Sequence, residues 1–213
     1  MKIVAVNGSP RGIKSNTKVM LDAILDSYIK KGHRIHTINL SEYEIKYCKG
    51  CYACWTTSPG KCVHDDDVRE LLEIMRDADL LILGSPLYFN NISGTMKVFI
   101  DRLTTLGGSP HNKGEEKNAK GKLIIVSNCG FPIRQQFDVI ALWARHLSNL
   151  LKLDLIGEFY TTSGKVLTSM EPNDGIKREK YVEYLKKCGE CLERDGKLED
   201  TLAADLGKDV SRY

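Results

Sequence analysis

Short apolar runs alternate with stretches of helical periodicity along the whole 213-residue chain, and few architectures accept that alternation. A run buried on both faces shows no polar side to water, so it must lie between helices, and runs joined through helices pair in parallel. Residues 3–7, 34–40, 80–83, 122–127 and 155–160 predict five such strands. Residues 15–31, 67–76, 96–106 and 136–151 carry apolar side chains at helical spacing, the first ending at Gly32. The fold class expected is α/β, a parallel sheet with helices on both faces. Residues 176–205 predict a charged amphipathic helix, broken near Gly196, whose charge runs form a solvated face. Residues 107–121, rich in Gly, Lys, Glu and Asn, predict an exposed loop that can serve as a mobile flap.

Composition removes several function classes. With 31 basic and 28 acidic residues the net charge is only +3, too balanced for nucleic acid or an acidic membrane surface to be the main partner. The best apolar run, Leu80 to Leu83, is far shorter than the roughly 18 residues a membrane helix needs. The opening Met1-Lys2-Ile3-Val4-Ala5-Val6 reads as a buried strand and is too short for a signal-peptide core, so a cytoplasmic protein beginning at Met1 is expected. Seven cysteines in such a chain favour reduced thiols or metal ligands over a disulfide framework.

The first strand runs into Gly8-Ser9-Pro10-Arg11-Gly12-Ile13-Lys14-Ser15-Asn16-Thr17 and then a helix. A strand–loop–helix of this kind aims backbone N–H groups and a helix dipole at an anion. Neither G-x-G-x-x-G nor G-x-x-x-x-G-K-[ST] occurs, which counts against a dinucleotide fingerprint and an ATP loop. Hydroxyls of Ser9, Ser15 and Thr17, the Asn16 amide and the Arg11 guanidinium can together serve one phosphate monoester; helix capping by Ser15 or Asn16 is the plainer alternative. Two more strand ends supply loops at the same sheet edge: Gly84-Ser85-Pro86-Leu87-Tyr88-Phe89-Asn90-Asn91-Ile92-Ser93-Gly94, and Ser127-Asn128-Cys129-Gly130-Phe131-Pro132. Tyr88 and Phe89 beside amide-rich turns suit a flat heteroaromatic ring, or else pack a helix end.

Gly8-Ser9-Pro10-Arg11 with Ser15-Asn16-Thr17, then Gly84-Ser85-Pro86-Leu87-Tyr88, Lys97 and Asp101-Arg102, resemble the flavodoxin-like NAD(P)H-dependent FMN reductases over nearly all of residues 1–165. The resemblance implies a doubly wound five-stranded sheet of order 2-1-3-4-5 binding FMN. It implies that Ser9, Arg11, Ser15, Asn16 and Thr17 hold the phosphate and that Pro86, Leu87, Tyr88, Phe89 and Asn91 border the ring, with Ser127, Cys129 and Gly130 of the third loop beside them. Residues 166–213 would form a helical extension to this domain. A homodimer or homotetramer is also implied.

Cys48-Lys49-Gly50-Cys51-Tyr52-Ala53-Cys54, then seven residues and Cys62, form a second constellation within a loop at 46–66. Four soft ligands at that spacing suit an iron–sulfur cluster or zinc, and a loop of reduced thiols is the third reading. The spacing is similar to that of the iron–sulfur flavoproteins, a branch of the same family, which implies a [4Fe-4S] cluster next to FMN. Asp65-Asp66-Asp67 is expected to open the next helix as carboxylates at its N-terminus. Cys129 with Arg134, and Cys188 with Cys191, lack the context of a nucleophile or a metal site, and His64 is expected to face solvent. No side chain is assigned as a catalytic nucleophile, acid or base. The activity expected is FMN-dependent electron transfer to or from NAD(P)H, ferredoxin or a quinone, with a cluster-free reductase or a non-enzymatic electron carrier as alternatives.

Overall fold

The computed structural model describes residues 1–106, 121–205 and 209–213, so the flap expected at 107–121 lies, but for Gly121, outside the described residues. Strands and helices follow in the order β1 (Lys2–Asn7), α1 (Asn16–Lys30), β2 (Arg34–Asn39), α2 (Val68–Met75), β3 (Leu80–Tyr88), β4 (Asn91–Ile92), α3 (Gly94–Arg102), β5 (Lys122–Asn128), α4 (Asp138–Leu151), β6 (Asp154–Thr161), α5 (Pro172–Asp195) and α6 (Asp200–Asp205). Five strands pair in parallel in the order β2-β1-β3-β5-β6, and β4 pairs antiparallel with the end of β3. Leaving β4 aside, this is the doubly wound 2-1-3-4-5 order.

Successive side chains of a strand point to opposite faces, and here both faces are apolar. Ile3, Ala5, Leu80, Ile82, Ile124 and Val126 pack on α1 and α5. Val4, Val6, Leu81, Leu83, Leu123 and Ile125 pack with α2, α3 and α4. The edge strand β2 is less covered: Arg34 and Thr37 are exposed, Ile35, His36 and Asn39 half-buried, and Ile38 buried. α5 keeps its charged face in water, but Tyr181, Tyr184, Leu185, Cys188, Cys191 and Leu192 are buried and join the α1 core. It ends at Gly196 in the left-handed region, φ +70°. No described helix is long and apolar enough to cross a membrane.

Two boundaries differ from expectation for identifiable reasons. β3 continues past Leu83 to Tyr88, because Gly84 leaves room for the Thr17 and Leu21 side chains, which a Cβ there would meet at 2.8 and 2.9 Å. α3 starts at Gly94, two residues early, because Ser93 caps it through Oγ accepting from Met96 N, and it ends at Arg102 in a 3-10 turn over Leu103–Thr105. The strand order reverses between β1 and β3, and the crevice beyond their carboxyl ends is where open α/β sheets take ligands. There Gly8 N donates to Gly84 O at 2.7 Å and Ser93 Oγ to Gly8 O at 2.6 Å, so the first and second loops are bolted together. That contact requires glycine at position 8, where a Cβ would meet Met96 Cβ at 2.7 Å.

Candidate functional site

Asn7, the last residue of β1, organises the first loop from a fully buried position. Its Nδ2 donates to Gly12 O, Ser15 Oγ and Asn39 Oδ1, and its Oδ1 accepts from Ser9 N at 3.1 Å. Sequence reasoning passed over Asn7; an amide closing an otherwise apolar strand was the available signal. Gly12 takes φ +54° and lies against Ser41 Oγ, which bends the loop back toward α1. Ser15 caps α1, its Oγ accepting from Lys18 N at 3.1 Å, so capping and anion binding coexist: with two bonds accepted, the hydroxyl keeps its proton to donate. Asn16 Oδ1 accepts from Thr168 Oγ1, and the buried Thr17 Oγ1 accepts from Asn128 Nδ2 at 2.9 Å. The side chains of Asn16 and Thr17 are therefore engaged inward, and what they offer an anion is first-turn N–H, which has no acceptor within the helix. Ser9 is buried with its Oγ under Arg11 N, while the Arg11 guanidinium is exposed and pairs with no described residue.

Beyond β3 the chain makes a hairpin the sequence did not announce. Leu87 pairs with Ile92 and Tyr88 with Asn91, leaving Phe89 and Asn90 as a two-residue turn at φ +49° and +57°. Both central residues of a type I′ turn need that region, usually supplied by Asn-Gly, and a bulky residue there is strained. Phe89 is fully exposed and Tyr88 half exposed at the mouth of the crevice, while Pro86 and Leu87 are buried beneath and Asn91 Oδ1 holds Ile92 N. In the third loop Gly130 is exposed, and Cys129 is buried with its thiol donating to Phe131 O. Burial pushes that thiol's pKa up, the wrong direction for a nucleophile. Ser127 is buried on the α4 side near Ile140 and Trp143, and its Oγ has no partner among the described residues. Arg134 stacks over Phe137 and Tyr160 and donates to Tyr160 O, a packing role.

The second constellation folds into a cup. Cys48, Cys51, Cys54 and Cys62, all free thiols, line a cavity of about 210 Å³ closed by Trp55, His64, Arg102, Thr104 and Thr105. Trp55 Nε1 donates to Thr104 O at 2.8 Å, tying the loop to the end of α3. His64, expected in solvent, is half-buried and bonds through Nε2 to Tyr47 O. The three aspartates lead into α2 as expected, with Asp67 at its N-cap position, although no side-chain bond caps the helix. Asp67 Oδ2 accepts from Glu44 N, and Asp66 grips Arg102 bidentately at 2.6 and 3.1 Å while accepting from Lys46 N. Both side chains of this pair are at most 2% exposed. Burial raises the Asp66 pKa, but the Arg102 guanidinium and the Lys46 and Val68 N–H groups outweigh it and hold the carboxyl below its ordinary value. A lowered carboxylate pKa contributes stability that is complete above the unfolded value of about 3.9 and is lost as pH falls through the folded value. Asp66→Asn should thus cost about 3–5 kcal/mol at neutral pH by leaving Arg102 buried and unpaired. In urea titrations of parent and variant that gap should narrow only below about pH 4; a gap that closes by pH 6 would mean Asp66 is not the group responsible.

The NADPH-dependent FMN reductase family matches residues 1–153, both the crevice and the cup included. The chain belongs to that family. An iron–sulfur flavoprotein of Archaeoglobus fulgidus is 45% identical over 102 residues, 48% of each chain, and a second from the same organism is 36% identical over 132 residues, 62% of this chain and 57% of its own. The chain spans about half the length of these curated relatives. In structure it is similar to an FMN-dependent NADH-azoreductase from Bacillus anthracis str. Ames Ancestor, with a TM-score of 0.64 and 14% identity over 90% of this chain and 99% of that one; this likeness is one of fold.

Within the FMN reductase fold, α3 connects the two sites. Its N-terminal cap Ser93 touches the first loop, and Arg102 at its other end floors the cup, about 14 Å apart at 1.5 Å per residue. The fit of the cup to a thiolate-bound group can be judged from its own atoms. Arg102 Nε is buried without a partner among the described residues, as an N–H facing an anion would be before the anion arrives. No three of the four thiols bring their sulfurs within 4.8 Å of one another, whereas a single tetrahedral zinc at 2.3 Å from each would need them about 3.8 Å apart. Four cysteine thiols are the donor set that a [4Fe-4S] cluster takes.

Proposed function

We propose that this protein is an FMN-dependent oxidoreductase in which the flavin exchanges electrons with a [4Fe-4S] cluster held by Cys48, Cys51, Cys54 and Cys62. The observation that carries this reading is the cup: four free thiols around a cavity of about 210 Å³ floored by a buried arginine, one short helix away from an anion loop at the sheet's switch point. FMN, when bound, converts between one-electron and two-electron chemistry, which is what a single-electron centre beside it requires. The chain's own work is to hold and orient. Arg11, the Ser9 and Ser15 hydroxyls and the first-turn N–H groups of Asn16 and Thr17 bind the phosphate. Pro86, Leu87, Tyr88, Phe89 and Asn91 would border the ring, with Ser127, Cys129 and Gly130 of the third loop beside them. The redox partner is NAD(P)H, ferredoxin or a quinone, and the working form a homodimer or homotetramer.

Anaerobically purified protein should show flavin bands above a broad visible absorbance, with about four irons and four sulfides per chain. Flavin bands without iron would leave a cluster-free reductase, and neither would end the proposal. Because the Arg11 guanidinium is exposed and has no described partner, Arg11→Ala should weaken FMN by roughly tenfold to hundredfold, the loss of one charge-assisted contact worth about 1.5–3 kcal/mol. Fluorescence titration reads this directly, and unchanged affinity would remove Arg11 from the site.

A further inference from the structure

The cup contains one charged group whose bonding is unfinished. Arg102 closes α3 with its outer nitrogens committed: Nη1 donates to Asp66 Oδ2 at 2.6 Å and to Lys46 O at 2.8 Å, and Nη2 donates to Asp66 Oδ1. Nε, equally buried, has no partner among the described residues. The same side chain lines the cavity together with Cys62. A neutral thiol is a weak acceptor, and a metal-bound thiolate a much stronger one. The ion pair with Asp66 also cancels the arginine's net charge, so the residue does little to attract anions in general. Of its five N–H groups three are bonded, and two remain, one on Nη2 and one on Nε, the nitrogen with no partner at all among the described residues.

We propose that Arg102 is a positioning residue for the cluster, its Nε–H donating to the Cys62 thiolate and raising the reduction potential of the centre. The inference rests on the cluster reading above. Reduction by a chemical reductant such as dithionite adds one electron and no proton, and the Nε–H stays on arginine throughout. The added negative charge strengthens the N–H···S bond, so the reduced form gains more from it than the oxidised form, and the potential rises. Asp66 serves this by fixing the plane of the guanidinium through both outer nitrogens, which leaves the buried Nε–H uncommitted among the described residues.

A merely structural ion pair would bolt the loop to α3 and leave the potential alone. Two variants separate the cases: Arg102→Lys keeps the charge but has no N–H at the Nε position, and Arg102→Met with Asp66→Asn removes both charges together, leaving none buried unpaired. After anaerobic reconstitution with iron, sulfide and FMN, both are expected to hold the parent's iron. Their clusters should be shifted about tenfold toward the oxidised form, about 59 mV lower for one electron, with the terminal Fe–S stretch in resonance Raman spectra moved to higher frequency. Variants that load fully and keep the parent's potential and stretch overturn the proposal. The parent gives a reading independent of how the variants fold: with nitrogen-15 only in arginine, pulsed EPR of the reduced cluster should show nitrogen-15 coupling, and its absence overturns the proposal alone. A parent that takes up no iron instead overturns the cluster reading, and the proposal with it.

Discussion

Serine at any one of Cys48, Cys51, Cys54 or Cys62 is expected to abolish stable iron loading, with flavin content unchanged. A cluster of this type is held by four thiolates, and losing one leaves an iron open to oxidation. The cup cannot shield such an iron, because Cys48 and Cys51 are exposed and Cys54 and Cys62 only half-buried. No neighbouring cysteine can substitute: Cys129 sits under the third loop with its thiol on Phe131 O, and Cys191 on α5 donates to Lys197 O. Cys129→Ser and Cys191→Ser should accordingly load iron like the parent. The grouping of Cys191 with Asp195 and Glu199 does not alter this expectation, since both carboxylates are already paired with Arg194. Iron, sulfide and flavin per chain, counted after anaerobic reconstitution, decide the matter. Cys62→Ser holding as much iron as the parent would break the four-ligand set.

A large loss of stability is also expected far from both sites, at Gly189. A Cβ there would stand 2.3 Å from the Ile24 carbonyl oxygen and about 3 Å from two further backbone atoms. α1 and α5 thus meet backbone to backbone, and neither can yield by a side-chain rotation. Gly189→Ala should cost about 1–3 kcal/mol through overpacking even after the gain of roughly 0.5–1 kcal/mol that Ala brings to a helix, and Gly189→Val more than about 3 kcal/mol. Gly175, in the first turn of the same helix, has nothing within 4 Å of its Cβ position. Gly175→Ala should therefore leave stability unchanged or raise it by up to about 1 kcal/mol. Chemical denaturation of the three variants reads the contrast, and equal effects at the two glycines would refute a backbone contact between α1 and α5.

These two cases also mark how far the residues alone could be read. The strand set followed from local patterns, since a strand buried on both faces must be apolar throughout and a helix with one wet side must repeat every 3.6 residues, whereas the 2-1-3-4-5 order came only with the resemblance to the FMN reductases. The cysteine spacing was equally legible, because ligands in one short loop are brought together by chain connectivity. The hairpin at Phe89–Asn90 was not, for its turn lacks the glycine that normally accompanies left-handed residues and is imposed by the pairing of Leu87 with Ile92. Asp66 read as one of three carboxylates at a helix N-terminus, and only the fold showed it gripping Arg102, 36 residues away. Gly189 had the same ambiguity: in a helix it reads as a weak point, and in the structure it is the place where two helices touch.

Periodicity and spacing are properties of neighbouring residues, and the sequence by itself determined what depends on them: the α/β class, the strand set, the loops at the sheet edge and the set of four thiols. Which buried charge faces the thiols, which amide shapes the first loop and which glycine carries a helix crossing were decided by the tertiary structure. Each is a contact between residues distant along the chain, and its energy comes from excluding water around a pair that no local pattern brings together.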